Sequence, residues 1–215
     1  MKLYVYEHCP FCVKARAIFG LKGVPFELIT LLNDDEVTPK RMIGRKMTPI
    51  LEEEGRFTPE SMDIVAYIDA MGDDPRLTGP RSASIEAWLQ EVSSSLYPLA
   101  MPRWAMAPFP EFSTEAARAF FTRNKEAIVG PFNKLLASTP DLLAQIHAAL
   151  ASLAPSIQAP EAMNGTLSQD DIHLFAALRA LSIVRDVRYP PAVEAYRQTM
   201  SRLTGVPLHD DVAMA

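Results

Sequence analysis

Cysteine is almost missing from this chain: there are two in 215 residues, Cys9 and Cys12. That excludes a disulfide-stapled framework. A single bridge across four residues would remove little chain entropy, so the pair reads as chemistry rather than as a staple. Histidine is also scarce, with four residues at positions 8, 147, 173 and 209. No two of them have paired metal-ligand spacing, so a structural zinc held by Cys9 and Cys12 would lack its second pair of ligands. No metal site is expected. Basic residues are outnumbered, 21 Lys and Arg against 26 Asp and Glu, for a formal charge of −5. This argues against nucleic acid as the main partner, because phosphate contacts need clustered cations. The densest basic stretch, Lys40-Arg41 with Arg45-Lys46, is short, is interrupted by Met42-Ile43-Gly44 and reads mainly as a solvated loop. Apolar runs end at charge or proline well short of the roughly 20 residues a spanning helix needs, so no membrane role is expected. The opening Met1-Lys2-Leu3-Tyr4-Val5-Tyr6 is cut off by Glu7-His8 and does not read as a secretory leader. A cytoplasmic location is expected, where structural disulfides rarely persist. Internal repeats and low-complexity tracts are absent as well.

What is present is an ordinary folded composition, 48% apolar and 22% charged, enough for a substantial core. The first part alternates strand and helix. Leu3–Tyr6 is aromatic and β-branched, and Pro10 suits the first turn of a helix whose apolar positions are Ala15, Ile18 and Phe19. Gly20 and Gly23 loosen its end. Pro25–Thr30 reads as a second strand, and Thr38-Pro39 as the cap and first turn of a short helix. Thr48–Glu52 and Arg56–Thr58 read as a hairpin around Glu54-Gly55. Ser61 then caps a helix with Ile64, Val65 and Ile68 inward. The order βαβ then ββα is the thioredoxin-like layout.

Polar, turn-rich Gly72-Asp73-Asp74-Pro75 and Thr78-Gly79-Pro80 mark a boundary. Residues 1–72 form the α/β domain, 73–83 a linker and 84–215 an all-α domain of about five helices. Ile85, Trp88, Leu89, Val92 and Leu96 keep helical spacing, with an end expected near Pro98. Further helices are expected over 114–136, 141–153, 168–184 and 191–203. Ser168 and Asp171 form a capping-box pattern that starts a buried helix.

In Cys-x-x-Cys the first thiol attacks and the second resolves the mixed disulfide. Only thiolate is nucleophilic, and a free cysteine with a pKa of about 8.5 is mostly protonated at neutral pH. A position just ahead of a helix offers Cys9 unpaired N–H groups and the positive end of the helix dipole. Cys12, one turn on, is placed to hydrogen-bond the Cys9 thiolate and to close the ring. His8 either influences that ionisation or points to solvent.

Cys9-Pro10-Phe11-Cys12 after a first strand, Thr48-Pro49 before a third, and Glu60-Ser61 opening a helix resemble a glutaredoxin. The runs Lys2-Leu3-Tyr4, His8-Cys9-Pro10, Ala17-Ile18-Phe19-Gly20-Leu21-Lys22, Leu31-Leu32-Asn33-Asp34-Asp35 and Pro59–Val65 resemble, more narrowly, the bacterial two-domain glutaredoxins of the glutaredoxin 2 type. The resemblance extends over nearly the whole chain. It implies a thioredoxin-like domain followed by a glutathione-transferase-like helical domain. It also implies glutathione-dependent reduction of protein disulfides and glutathione mixed disulfides, with Cys9 and Cys12 catalytic. Glutathione is then a co-substrate, and no cofactor is permanently bound. The implied glutathione site comprises Cys9, Pro10, Phe11, Thr48, Pro49, Glu60 and Ser61. Pro49 would be cis, freeing the Thr48 backbone to pair with the peptide, while Glu60 and the helix start at Ser61 would take its γ-glutamyl end. Disulfide-containing or glutathionylated proteins are the expected partners, and a monomer the expected state. One departure stands out: the family's usual active-site tyrosine is Phe11 here, so its hydroxyl is lost.

Two rivals share the fold. A glutathione transferase would use Cys9 but needs no resolving Cys12, and a docking scaffold needs no reactive thiol. A thioredoxin-type reductase lacks support, since the Trp-Cys-Gly-Pro-Cys pattern is absent. A membrane-inserting relative is disfavoured by Lys14, Arg16 and Lys22 on the first helix.

Overall fold

The computed structural model describes residues 1–215. Strand β1 (Lys2–Val5) leads into α1 (Pro10–Lys22), then β2 (Glu27–Thr30), α2 (Val37–Ile43), β3 (Ile50–Glu53), β4 (Arg56–Pro59) and α3 (Ser61–Asp69). The strands form one four-stranded sheet in the order β2-β1-β3-β4. β1 runs parallel to β2 and antiparallel to β3, and β3 pairs antiparallel with β4. The parallel β1–β2 pair needs a crossover, which α1 supplies. Leu3, Val5, Ile18, Phe19, Leu51, Ile64 and Ile68 are buried in a core between the sheet and helices α1 and α3, and Tyr4, Tyr6, Leu31 and Ile50 form a second cluster with Met42 and Ile43 of α2.

Six helices follow: α4 (Ala83–Met106), α5 (Glu115–Val129), α6 (Phe132–Ala137), α7 (Thr139–Leu153), α8 (Gln169–Leu181) and α9 (Pro191–Thr204). Ile85, Trp88, Val92 and Leu96 are buried as their spacing requires. The connection into α4 is tied down, with Asp69 Oδ1 accepting from the Arg76 N–H at 2.7 Å and Asp170 Oδ2 from the Ser82 N–H at 2.6 Å. None of the helices is long and apolar enough to cross a membrane.

Several boundaries differ from the sequence reading. α4 does not stop near Pro98; it runs through Pro98 and Pro102 to Met106. A proline inside a helix costs about 3 kcal/mol, but Leu99, Ala100, Trp104 and Ala105 around them are buried, and their packing offsets that cost. The single helix expected over 114–136 is two, because Gly130 (φ 93°) and Pro131 interrupt it between α5 and α6. The N-cap of α2 is Glu36, Asp35 Oδ1 just ahead of it accepts from the Thr38 N–H at 2.9 Å, and Thr38 itself lies within the helix. The Ser168–Asp171 capping box forms at the start of α8. α1 is buried on more than its one apolar face, because it lies between the sheet and α3 on one side and α8 and α9 on the other. Arg16 is buried there and meets Glu7 at 2.8 Å.

Candidate active site

The β1–α1 turn sets the position of the thiols. Cys9 is the N-cap of α1 and has extended backbone (φ −74°, ψ 118°), with Pro10 as the first helical residue. Pro10 has no N–H to leave unpaired, and the remaining free N–H groups of the first turn and the positive helix end lie beside Cys9. Both cysteines are free thiols, Cys9 half-buried and Cys12 fully buried. The Cys12 thiol hydrogen-bonds the Cys9 sulfur and lowers the Cys9 pKa to about 6, against the opposing effect of burial, with the charge on His8 and the N–H groups of Cys12 and Phe11 adding to it. Burial pushes Cys12 well up, and so do its hydrogen bond to Cys9 and the negative charge there. One thiol is therefore ionised at neutral pH and its neighbour keeps its proton. This is the division of labour that attack followed by resolution requires.

Thr48 lies beside Cys12 and offsets part of its upward shift, and the Tyr6 N–H donates to the Cys12 sulfur at 3.4 Å. The Thr48–Pro49 peptide bond is cis. Phe11 is 52% exposed, next to the nucleophile, with the Lys14 ammonium 4.8 Å from its ring centre. Helix α3 begins at Ser61, which is buried; the N-cap is Glu60 rather than Ser61, with φ 68° and ψ 122°. The Glu60 carboxylate is exposed and pairs with Arg45 at 2.8 Å. No group of three or more His, Cys, Asp or Glu side chains converges as a metal site would need.

The helical half reaches into this turn through residues that spacing did not single out. Buried Glu111 accepts, on one carboxylate oxygen, both the His8 N–H at 2.9 Å and its Nδ1 at 2.6 Å. His8 does not point to solvent: it is buried, stacked on Tyr6 and Phe112 and edge-on to Phe121. Buried Arg179 of α8 holds Glu7 through the backbone carbonyl at 2.8 Å and through the carboxylate, and spans to the Pro207 carbonyl at 2.8 Å. The two residues before Cys9 are thus fixed by groups 103 and 172 positions away. A lone acid within the apolar run Phe109-Pro110-Glu111-Phe112 was the available signal for Glu111. For Arg179 there was none. Between the halves, against Cys9, opens a cleft of about 590 Å³, walled by Phe11 from α1, Tyr97 and Met101 from α4, and Ile128 and Val129 from α5.

Fold and site together define a dithiol protein of glutathione-transferase-like architecture. The family described as "Glutaredoxin 2, C terminal domain" matches residues 84–213, and "Glutathione S-transferase, N-terminal domain" matches residues 3–76. Glutaredoxin 2 of Escherichia coli (strain K12) is 48% identical over 215 residues, covering 100% of both chains. The crystal structure of Glutaredoxin 2 from Salmonella typhimurium in complex with glutathione superposes with a TM-score of 0.97 at 50% identity, covering 99% of this chain and 98% of that one. A glutathione S-transferase of Ceriporiopsis subvermispora, at 15% identity and a TM-score of 0.71 over 96% of this chain and 97% of its own, shares the fold. The chain belongs to the glutaredoxin 2 family.

Proposed function

We propose that the chain is a glutathione-dependent thiol–disulfide oxidoreductase in which Cys9 attacks and Cys12 resolves. The observation that carries this is a pair of free thiols at the start of α1, half-buried Cys9 at its N-cap and fully buried Cys12 one turn on, an arrangement that lowers Cys9 to about 6 and raises Cys12. The full-length kinship to Glutaredoxin 2 and to a glutathione complex of that protein supports it. The Cys9 thiolate attacks a substrate disulfide, forming one S–S bond as the old one breaks and the departing sulfur leaves with the electron pair. Cys12 then displaces the second substrate sulfur and closes Cys9–Cys12, or glutathione attacks the mixed disulfide directly. Two glutathione molecules reopen an oxidised pair and leave as glutathione disulfide.

Glutathione lies against Cys9, Pro10 and Phe11, pairs with the Thr48 backbone ahead of Pro49, and sets its γ-glutamyl end at Glu60 and Ser61. Arg45, which already holds Glu60, then sits at the edge of that site. Residues 1–72 form the catalytic domain, 73–83 the linker and 84–215 the helical domain, which walls the substrate cleft. The partners are disulfide-containing and glutathionylated proteins, met by a monomer in the cytoplasm.

The test is glutathione-dependent reduction of a small mixed disulfide, coupled to NADPH through glutathione reductase, for the wild type, Cys9→Ser and Cys12→Ser. The expected result is activity abolished without Cys9 and retained wholly or in part without Cys12. A wild type that is inactive with both thiols reduced would overturn the reading in favour of a transferase or a scaffold.

A further inference from the structure

The cleft beside Cys9 contains few polar groups that are free to act on a substrate. His8 is committed to Glu111. Ser93 and Ser94 turn back on their own helix, donating to the Gln90 and Glu91 carbonyls at 2.7 and 2.8 Å. The Lys125 ammonium lies over the Phe121 ring at 5.9 Å. Phe11 has no hydroxyl. The tyrosines narrow further: the chain has six, of which Tyr4, Tyr67 and Tyr196 spend their hydroxyls on Glu52, Glu53 and Asp171, while Tyr6 and Tyr189 bury theirs. Tyr97 is the sixth. It stands on α4 between the 590 Å³ cleft and a second cavity of about 170 Å³, and lines both together with Pro10 and Phe11. Its ring is held edge-on against Trp104, 6.3 Å between centres.

We propose that Tyr97 is a further catalytic residue, whose hydroxyl donates a hydrogen bond to the sulfur that departs when Cys9 attacks a mixed disulfide in the cleft. This rests on the oxidoreductase reading above. The Cys9 lone pair forms the new S–S bond, and the pair of the broken bond stays on the departing sulfur as thiolate. That thiolate accepts the Tyr97 O–H hydrogen bond and afterwards takes its proton from water. Burial and the negative charge of Cys9 push the Tyr97 phenol up, so the donor is protonated at neutral pH, where Cys9 is already ionised. The Tyr97 hydroxyl is engaged by no hydrogen bond within the protein, its ionisation being set by burial and by Cys9 alone, which leaves it for the substrate.

The experiment is a leaving-group series on the intact protein, comparing wild type with Tyr97→Phe. The substrates are glutathione mixed disulfides whose second half is either an alkyl thiol of high pKa or an aromatic thiol of low pKa. A lost hydrogen bond to a charged sulfur is expected to lower kcat/KM about tenfold for the alkyl series, and much less for the aromatic series, whose thiolates leave readily unaided. The pH midpoint of Cys9 alkylation stays where it was, which separates this role from a disturbed nucleophile or a damaged fold. Unchanged rates in both series, or an equal drop in both, would overturn the proposal. Wild-type inactivity toward every member would instead overturn the oxidoreductase reading.

Discussion

Gly20→Ala sets two effects of known sign against each other. In the interior of an exposed helix, alanine is worth about 1 kcal/mol over glycine, through reduced backbone entropy in the unfolded chain. At position 20 a β-carbon would lie 1.8 Å from the Thr204 carbonyl oxygen and 2.3 Å from its carbonyl carbon. Those are backbone atoms of α9, so no side-chain rotation relieves the contact. The end of α9 must move away from α1 by more than 1 Å, on the order of the gap to van der Waals distance. Overpacking of that kind costs about 1–3 kcal/mol, and a backbone partner places it at the upper end. The net expectation is a loss of about 2 kcal/mol after the helix-propensity gain is subtracted. Urea unfolding should show a lower midpoint with an unchanged slope. A midpoint equal to or above that of the wild type would refute the reasoning. It would mean that α1 and α9 are not in backbone contact, and that Gly20 only loosens the helix as its sequence position implied.

The remaining predictions concern ionisation and buried charge. Iodoacetamide should modify Cys9 at a rate that is level above neutrality and falls as pH drops through about 6; Cys12→Ala should raise that midpoint, since the Cys12 hydrogen bond is the largest lowering influence. Burial alone would raise the Glu111 carboxyl, but the hydrogen bonds and charge of His8 overcome it and leave its pKa below the ordinary value. A depressed carboxylate stabilises the fold above its unfolded pKa and loses that contribution as pH falls through its folded value. The urea midpoint of the wild type should therefore fall on acidification more steeply than that of Glu111→Gln, and parallel pH curves would count against the pair. Glu111→Ala, which leaves the buried His8 N–H and ring nitrogen without their acceptor, should cost more than about 2 kcal/mol at neutral pH. Asp171→Ala frees the Met163 and Ser168 N–H groups and the Tyr196 hydroxyl, bound at 2.7, 2.8 and 2.9 Å, and should cost more than about 3 kcal/mol in the same assay; a loss under 1 kcal/mol would mean that water replaces the carboxylate.

Local chemistry was legible in the sequence and distant chemistry was not. The strands fell where β-branched and aromatic residues cluster, and the helix from Ser61 buried Ile64, Val65 and Ile68 as its period demanded. The thiol pair could be read from spacing, because the N–H groups and Cys12 that act on Cys9 come from within its own first helical turn. Proline misled in both directions. Pro98 suggested an end, yet α4 continues because its surroundings are buried, while at Pro131 the break is real because Gly130 precedes it. Arg16, Arg103, Glu111 and Arg179 read as surface charges by type. Each is buried against a carbonyl or an opposite charge supplied from outside its own element, a pairing that no short-range pattern encodes.

Those buried charges explain why the helical half cannot be an independent appendage. Arg179 and Glu111 do not merely cover the first half; they hold Glu7 and His8, the two residues that carry the chain from β1 to Cys9. A buried arginine without its carboxylate is an uncompensated charge, so neither half can release this turn without a large penalty. The position of Cys9 over the start of α1 is therefore set from both sides, by the helix that follows it and by the helical half that grips what precedes it. The Cys9 sulfur at the edge of the cleft between Phe11 and Tyr97 is thus held in direction by groups from both halves. That matters because thiol–disulfide exchange needs three sulfurs brought into reacting geometry, and a misplacement of about 1 Å costs about a hundredfold in rate.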